Sequence, residues 1–307
     1  MPIPNTGPRI SIGRFTCNIC GAANSSSDRT DAREGATCDV CRSSLLMRSV
    51  VLALSRALFG MELALPDFPV LKTVRGLGLS DSDSYAGRLE TRFNYTNTFY
   101  HRPPAFDLAH PDETEFGRYD FVICSEVLEH VQAPVDRAFQ TLARLLKPAG
   151  VLILTVPYAF ADATTENFAI LHQTGLAQIG TATVLVNRSE TGKYEVYDQL
   201  VFHGGQGATL ELRTFSEADL RQKLIASGLP NIRFDATGSR EFGVLFAGPN
   251  SLPIIAARAP FSLEAGAIHE LVDEWAATRR VLQGVKDSRW LKLGRLFGLG
   301  PKIRLPH

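Results

Sequence analysis

Two unbroken apolar runs, Phe121-Val122-Ile123-Cys124 and Val151-Leu152-Ile153-Leu154-Thr155-Val156, constrain the fold more than any other feature of this chain. A strand wet on one face alternates apolar and polar residues, whereas an unbroken run marks a strand covered on both faces, as in a parallel sheet. Between the runs, residues 135–146 place apolar side chains at helical spacing, and Lys147-Pro148-Ala149-Gly150 stops them. Strand, helix, strand in this order predicts a right-handed βαβ unit.

The flanking sequence extends the alternation. Residues 44–59 read as a helix closed by Gly60, and Leu65-Pro66-Asp67-Phe68-Pro69 as a linker. Residues 74–79 read as a short strand, 84–93 as a helix capped by Asp81 or Ser82, and 95–100 as another strand. Ser216 caps a helix over 216–227 that ends at Gly228, and residues 231–234 and 253–258 supply the last two strands. The expected class is α/β: a Rossmann-like, doubly wound, mostly parallel sheet over residues 46–260. Residues 158–212 interrupt it, with a hairpin predicted around Ser189-Glu190-Thr191-Gly192. Insertions at the carboxyl ends of such strands build substrate pockets.

Ahead of this domain stand Cys17-x-x-Cys20 and Cys38-x-x-Cys41, with seventeen residues between the pairs. That spacing suits a tetrahedral zinc site, each pair forming a knuckle that turns two thiolates toward one ion. Gly21 supplies a turn residue after the first pair. Residues 1–45 hold too few large apolar side chains to fold alone, so they read as a metal-stapled module with Cys17, Cys20, Cys38 and Cys41 as structural Zn²⁺ ligands.

Charge narrows the partners. Lys+Arg and Asp+Glu are both 32 in 307 residues, which argues against a nucleic-acid partner gripped by bulk charge. Residues 1–13 lack the shape of a secretory signal, and reduced cysteines around a zinc ion fit the cytoplasm, the expected location. Residues 261–307 form a predicted helical tail. Its stretch Ser288-Arg289-Trp290-Leu291-Lys292-Leu293-Gly294-Arg295-Leu296-Phe297 interleaves large apolar and basic residues. That suits an amphipathic helix on the inner face of an anionic membrane, and equally one packed on the domain or on a second copy.

Three separated blocks resemble class I S-adenosylmethionine-dependent methyltransferases of the type 11-like group: Tyr119-Asp120-Phe121-Val122-Ile123-Cys124-Ser125-Glu126-Val127-Leu128-Glu129-His130-Val131, then Leu145 through Pro157, then Phe215-Ser216-Glu217-Ala218-Asp219-Leu220. The resemblance implies an S-adenosyl-L-methionine cofactor and a small-molecule or glycan acceptor, methylated on oxygen or nitrogen. It implies cofactor contacts from Gly76, Gly78, Asp81, Asp107 and Ser125, with Asp107 near the adenine. Arg75-Gly76-Leu77-Gly78-Leu79-Ser80-Asp81 departs from the family's glycine turn in lacking its leading acid and third glycine. This leaves open a module that binds without turnover. Glu126 and His130 are the catalytic candidates. If Glu126-x-x-Glu129-His130 lies on one helical face, these three side chains hold a second divalent ion, with His203 or His172 as a further ligand.

Overall fold

The computed structural model describes residues 13–25, 37–168, 171–203, 209–246 and 251–288. The chain starts with a two-stranded ribbon, β1 (Arg14–Thr16) and β2 (Ala23–Ser25), followed by α1 (Leu45–Phe59). Ser44 caps α1 by accepting from the Met47 amide, and Gly60 ends it with a left-handed φ of 68°.

Then come β3 (Leu71–Leu79), α2 (Ala86–Arg92), β4 (Phe93–Thr98), β5 (Tyr119–Ser125), α3 (Asp136–Leu145) and β6 (Leu146–Thr155). After the interrupting segment the chain adds α4 (Glu217–Ala226), and then two more strands of the main sheet, Asn231–Phe234 and Ile254–Ala257. The main sheet has six strands in the order Asn231–Phe234, Ile254–Ala257, β6, β5, β3, β4. The four strands from β6 to β4 run parallel, and the last two pair antiparallel.

The unbroken apolar runs have the cause predicted for them. Phe121 and Ile123 point into one apolar cluster with Val151, Ile153 and Val50 of α1, while Val122 and Cys124 point into another with Leu152, Leu154 and Phe139 of α3. Both faces of the sheet are covered, so neither face needs polar side chains. The predicted stop at Lys147 to Gly150 behaves differently. The helix ends just before them, at Leu145, but Leu146 opens β6 directly after it and those four residues are part of the strand. Gly150 is required there, because a Cβ would lie 2.8 Å from the Tyr119 carbonyl oxygen.

Between β6 and α4 lie eight further short strands, β7 (Tyr158–Ala159), β8 (Thr165–Glu166), β9 (Gln173–Ile179), β10 (Ala182–Arg188), β11 (Tyr194–Tyr197), β12 (Phe202–His203), β13 (Thr209–Leu210) and β14 (Arg213–Ser216). The predicted hairpin is β10–β11, paired from Leu185–Tyr197 to Arg188–Tyr194. Strand β9 extends it to three strands, which alternation alone did not reveal because β9 is polar and exposed. Strand β14 returns the chain to the domain, parallel to β7 and antiparallel to β8.

Helix α5 (Ala265–Asp287) closes the described chain and agrees with the predicted helix. It lies on β3: Glu270 Oε2 accepts from the Thr73 amide at 3.1 Å and its hydroxyl at 2.6 Å. The predicted tail from residue 289 onward lies outside the described residues.

Candidate cofactor crevice and four-cysteine centre

The order β5, β3, β4 places a topological switch between β3 and β5. From β3 the chain moves outward to β4, then crosses back to β5 on the other side. Open parallel sheets bind ligands outside the carboxyl ends at such a switch. Here those ends carry Ser80 and Asp81 on one side and Ser125 and Glu126 on the other. Ser80 (φ 60°) and Glu126 (φ 55°) are both left-handed without being glycine. Two such backbones at adjacent strand ends are the kind of local strain that gathers at ligand sites.

The turn after β3 is locked rather than glycine-rich. Asn97 brackets Asp81, with Oδ1 accepting from its amide and Nδ2 donating to its carbonyl, both at 2.9 Å. The Asp81 carboxylate accepts from the Tyr85 hydroxyl at 2.8 Å and also from the Tyr95 hydroxyl. The two glycines serve this packing. A Cβ on Gly78 would overlap the Tyr95 hydroxyl and sit 2.5 Å from Asp81 Oδ2, and one on Gly76 would overlap the Phe121 ring. Gly76, Gly78 and Asp81 are therefore engaged with neighbouring protein atoms. Asp81 does not cap α2, whose first turn has no side-chain cap.

Burial pushes the Asp81 carboxyl up from 3.8 to about 7, against the two tyrosine hydroxyls, which favour its ionised form. The folded protein therefore keeps this proton up to about pH 7, while the unfolded chain releases it near 3.8. The unfolded state then binds fewer protons across that window, so stability falls as pH rises through it. Asp81→Asn stays neutral throughout. The stability difference between wild type and this variant should shift by about 4 kcal/mol in favour of the variant from about pH 4 to about pH 8, read by urea melts. A constant difference would show that Asp81 is ionised in both states.

On the other side of the crevice, the Ser125 hydroxyl lies 2.8 Å from that of Thr155, and the Glu126 amide donates to the Thr155 carbonyl at 2.9 Å. Asp107 sits in the β4–β5 connection with its carboxylate partly used locally: Oδ1 accepts from the Ala109 amide at 2.7 Å, and Oδ2 lies 3.1 Å from His110 Nδ1.

Glu126, Glu129 and His130 do not share a helical face. Glu126 occupies the left-handed turn after β5, and Leu128–His130 is a three-residue 3₁₀ turn. Among the described residues, their ligand atoms do not form a group close enough for one ion. The shared helical face on which the expectation of a second divalent ion was built is therefore not formed. His130 instead has its ring fixed. Nδ1 donates to the Leu210 carbonyl at 2.8 Å, and Nε2 stands 3.6 Å from Glu129 Oε1. Of the two extra ligands considered, His172 Nδ1 is 3.9 Å from Glu190 in the insertion, and the His203 side chain lies outside the described residues.

The turn bearing His130 is held by the returning insertion. The Leu212 amide donates to the Glu129 carbonyl at 2.8 Å. Arg213, 1% exposed, donates from Nη1 to the Leu128 carbonyl at 2.9 Å and to the Val131 carbonyl, and from Nε to Glu166 at 2.9 Å. Sequence reasoning missed Arg213, because an arginine preceding a helix cap has no pattern of its own.

The cysteines do converge. Cys17 and Cys41 sulfurs are 3.7 Å apart, as are those of Cys20 and Cys38, and all four lie within 4.8 Å of one another. None is in a disulfide. Zn–S bonds of about 2.3 Å at tetrahedral angles put sulfurs about 3.8 Å apart, so the donor set fits zinc. Both knuckles have the same backbone. The Gly21 amide bonds the Cys17 carbonyl at 2.8 Å, the Arg42 amide bonds that of Cys38 at 3.0 Å, and φ is 77° at Gly21 and 61° at Arg42. The left-handed residue after the second pair is thus an arginine, which sequence alone did not reveal.

Ser43 Oγ lies 3.3 Å from Cys17 and 3.2 Å from Cys41. Arg48 of α1, fully buried, donates to the Ser43 carbonyl at 2.9 Å and the Gly243 carbonyl at 3.1 Å. Burial lowers its pKa, while the sulfurs of Cys17, Cys38 and Cys41 oppose that. Four thiolates around a divalent ion would carry a net double negative charge, and this guanidinium would offset part of it.

With this geometry in place, comparison with known proteins shows what the chain is similar to. Residues 69–191 match the family model described as a methyltransferase domain. The matched segment runs from β3 through β10. No curated protein matches the chain. Among solved structures, an S-adenosylmethionine-bound amino pentose methyltransferase from Micromonospora echinaspora is 16% identical, with 71% of this chain and 92% of that one covered, at a TM-score of 0.39. The 1,6-didemethyltoxoflavin-N1-methyltransferase of Burkholderia thailandensis is 15% identical, with 69% and 77% covered, at a TM-score of 0.36.

Proposed function

We propose that this chain transfers a methyl group from S-adenosylmethionine to an oxygen or nitrogen of a small-molecule or glycan acceptor. The observation that carries the reading is the methyltransferase-domain match, which spans the strands whose carboxyl ends form the crevice. The locked Ser80–Asp81 turn, Ser125 and Glu126 would hold the cofactor, with Asp107 at its adenine end. The bound cofactor supplies a methyl already activated by its positive sulfur. The protein's share is then alignment of the acceptor and removal of its proton.

His130 suits the second task. With Nδ1 donating to Leu210, the neutral ring keeps its lone pair on Nε2, and Glu129 alongside stabilises the protonated ring that results. The insertion of residues 158–212 supplies the acceptor side, since it fixes this turn. The four cysteines hold a structural Zn²⁺ in the same proposal.

The test is calorimetry with S-adenosylmethionine and with S-adenosylhomocysteine, followed by methyl transfer to an acceptor panel. Binding of both is expected. His130→Ala should keep cofactor affinity and lower turnover by about 10²–10⁴-fold. Unchanged turnover would remove His130 from the chemistry. A second reading, a catalytically eroded methyltransferase-like fold serving as a zinc-bearing binding module, draws on the engagement of Gly76, Gly78 and Asp81 with protein atoms. It would gain if millimolar cofactor produced no heat.

A further inference from the structure

Among the described residues, helix α5 is anchored by one side and one end. Ala267 is buried, Leu271 packs on the apolar cluster beneath β3, and the carboxylates of Glu270 and Glu274 turn inward to Thr73 and Val70. From Ala277 to Val285 every residue is exposed, so the helix runs on past the domain.

A second side of this helix carries Ile268, Val272, Trp275 and Leu282, 46%, 53%, 57% and 36% exposed. Their spacing puts them on one stripe. Arg279 lies within the stripe, with its guanidinium 5.0 Å from the Trp275 ring centre. The inward turn of Glu270 and Glu274 removes two of the helix's acids from its outer surface.

Charge in the chain is segregated along the same line. Residues 275–307 hold eight Lys/Arg and one Asp, while residues 1–274 hold 24 Lys/Arg and 31 Asp/Glu. A formal +7 therefore follows a formal −7, hidden by the overall zero. Both tryptophans of the protein, Trp275 and Trp290, fall in the basic part. Basic residues interleaved with Trp, Leu and Phe match the demands of a bilayer's anionic headgroup region, where the apolar stripe enters the acyl boundary and the cations meet lipid phosphates. A nucleic acid would use the cations but leave the apolar stripe exposed to water.

We propose that the outer face of α5 docks this protein on an anionic lipid surface. The described helices include none long and apolar enough to cross a membrane, so the contact is peripheral.

The test uses the full chain and vesicles of phosphatidylcholine, alone or with about one third phosphatidylglycerol. Because both tryptophans lie in this segment, a blue shift of intrinsic emission reports its burial directly. Anionic vesicles should produce the shift and co-sediment the protein at least ten-fold more strongly than neutral ones, with the binding weakened by salt. The double change Trp275→Glu and Leu282→Glu, at exposed positions, should keep the far-ultraviolet spectrum and lower vesicle binding at least ten-fold. Several results would overturn the proposal: no sedimentation with anionic vesicles, equal binding to neutral ones, or unchanged binding by the double variant. So would a dimer in solution that the double variant dissociates, or tighter binding to duplex nucleic acid than to the anionic vesicles.

Discussion

Cys38→Ser is expected to unfold the whole described protein, not only its amino-terminal knuckle. Phe15, Cys17, Ile19 and Cys38 belong to the same apolar cluster as Val50 and Leu54 of α1, Leu71 and Val74 of β3, and Phe121 of β5. Loss of the knuckle therefore uncovers part of the apolar cluster through which α1 packs on one face of the main sheet. Zinc binding in small thiolate sites contributes about 10–16 kcal/mol at neutral pH, comparable with the entire stability of an ordinary domain. The variant should purify without zinc and lose its cooperative melting transition, as read by metal analysis and calorimetry. Cys124→Ala is the control. Its sulfur is buried in the opposite cluster, against α3, so the variant should retain about one zinc per chain and lose on the order of 1 kcal/mol. A Cys38→Ser protein that melts like wild type would refute a structural role for the metal.

Arg213→Met is expected to have the second-largest effect, on both stability and turnover. The side chain is buried and donates to the carbonyls of Leu128 and Val131, which bracket Glu129 and His130. Methionine fills much of the space but donates nothing, leaving two carbonyls without their charged donor. The expected loss is on the order of 3–5 kcal/mol. Most of it should arise from these carbonyls, because Glu166 is 46% exposed and its ion pair is screened by water. Turnover should fall by more than cofactor affinity does, since the arginine fixes the His130 turn and does not reach Ser80 or Ser125. Urea melts, calorimetry and a methyl-transfer assay separate these effects. A stability change below about 1 kcal/mol would show that the turn holds without this anchor.

The sheet was legible where burial speaks through composition. The runs at Phe121 and Val151 located β5 and β6 because strands covered on both faces must be apolar throughout. Ser216 marked the start of α4 because a hydroxyl is the local partner for a free amide at a helix start. The four cysteines were legible as one site because thiolate spacing carries its own geometry.

The crevice was less legible. Glu126, Glu129 and His130 were read as one helical face, but a left-handed residue at Glu126 and a single 3₁₀ turn direct them differently, and sequence spacing does not encode that choice. Gly76 and Gly78 resembled a cofactor turn. What decides their role is Phe121 and Tyr95, which come from other strands. Arg48 and Arg213 carry no signal in the sequence, since only tertiary packing reveals the carbonyls they meet.

The seam between the knuckle and the rest of the domain has a consequence for synthesis. The Thr16 amide bonds the Glu241 carbonyl at 2.8 Å, and Arg48 bonds Gly243 across 195 residues. Gly243 also has no room for a side chain, because a Cβ there would lie 2.5 Å from the Phe15 ring. The cysteines leave the ribosome first, yet the cover over their cluster is among the last parts of the domain to be translated. A nascent chain can therefore gather its thiols early but must wait for residues 241–243 before the contacts to Thr16, Phe15 and Arg48 are made.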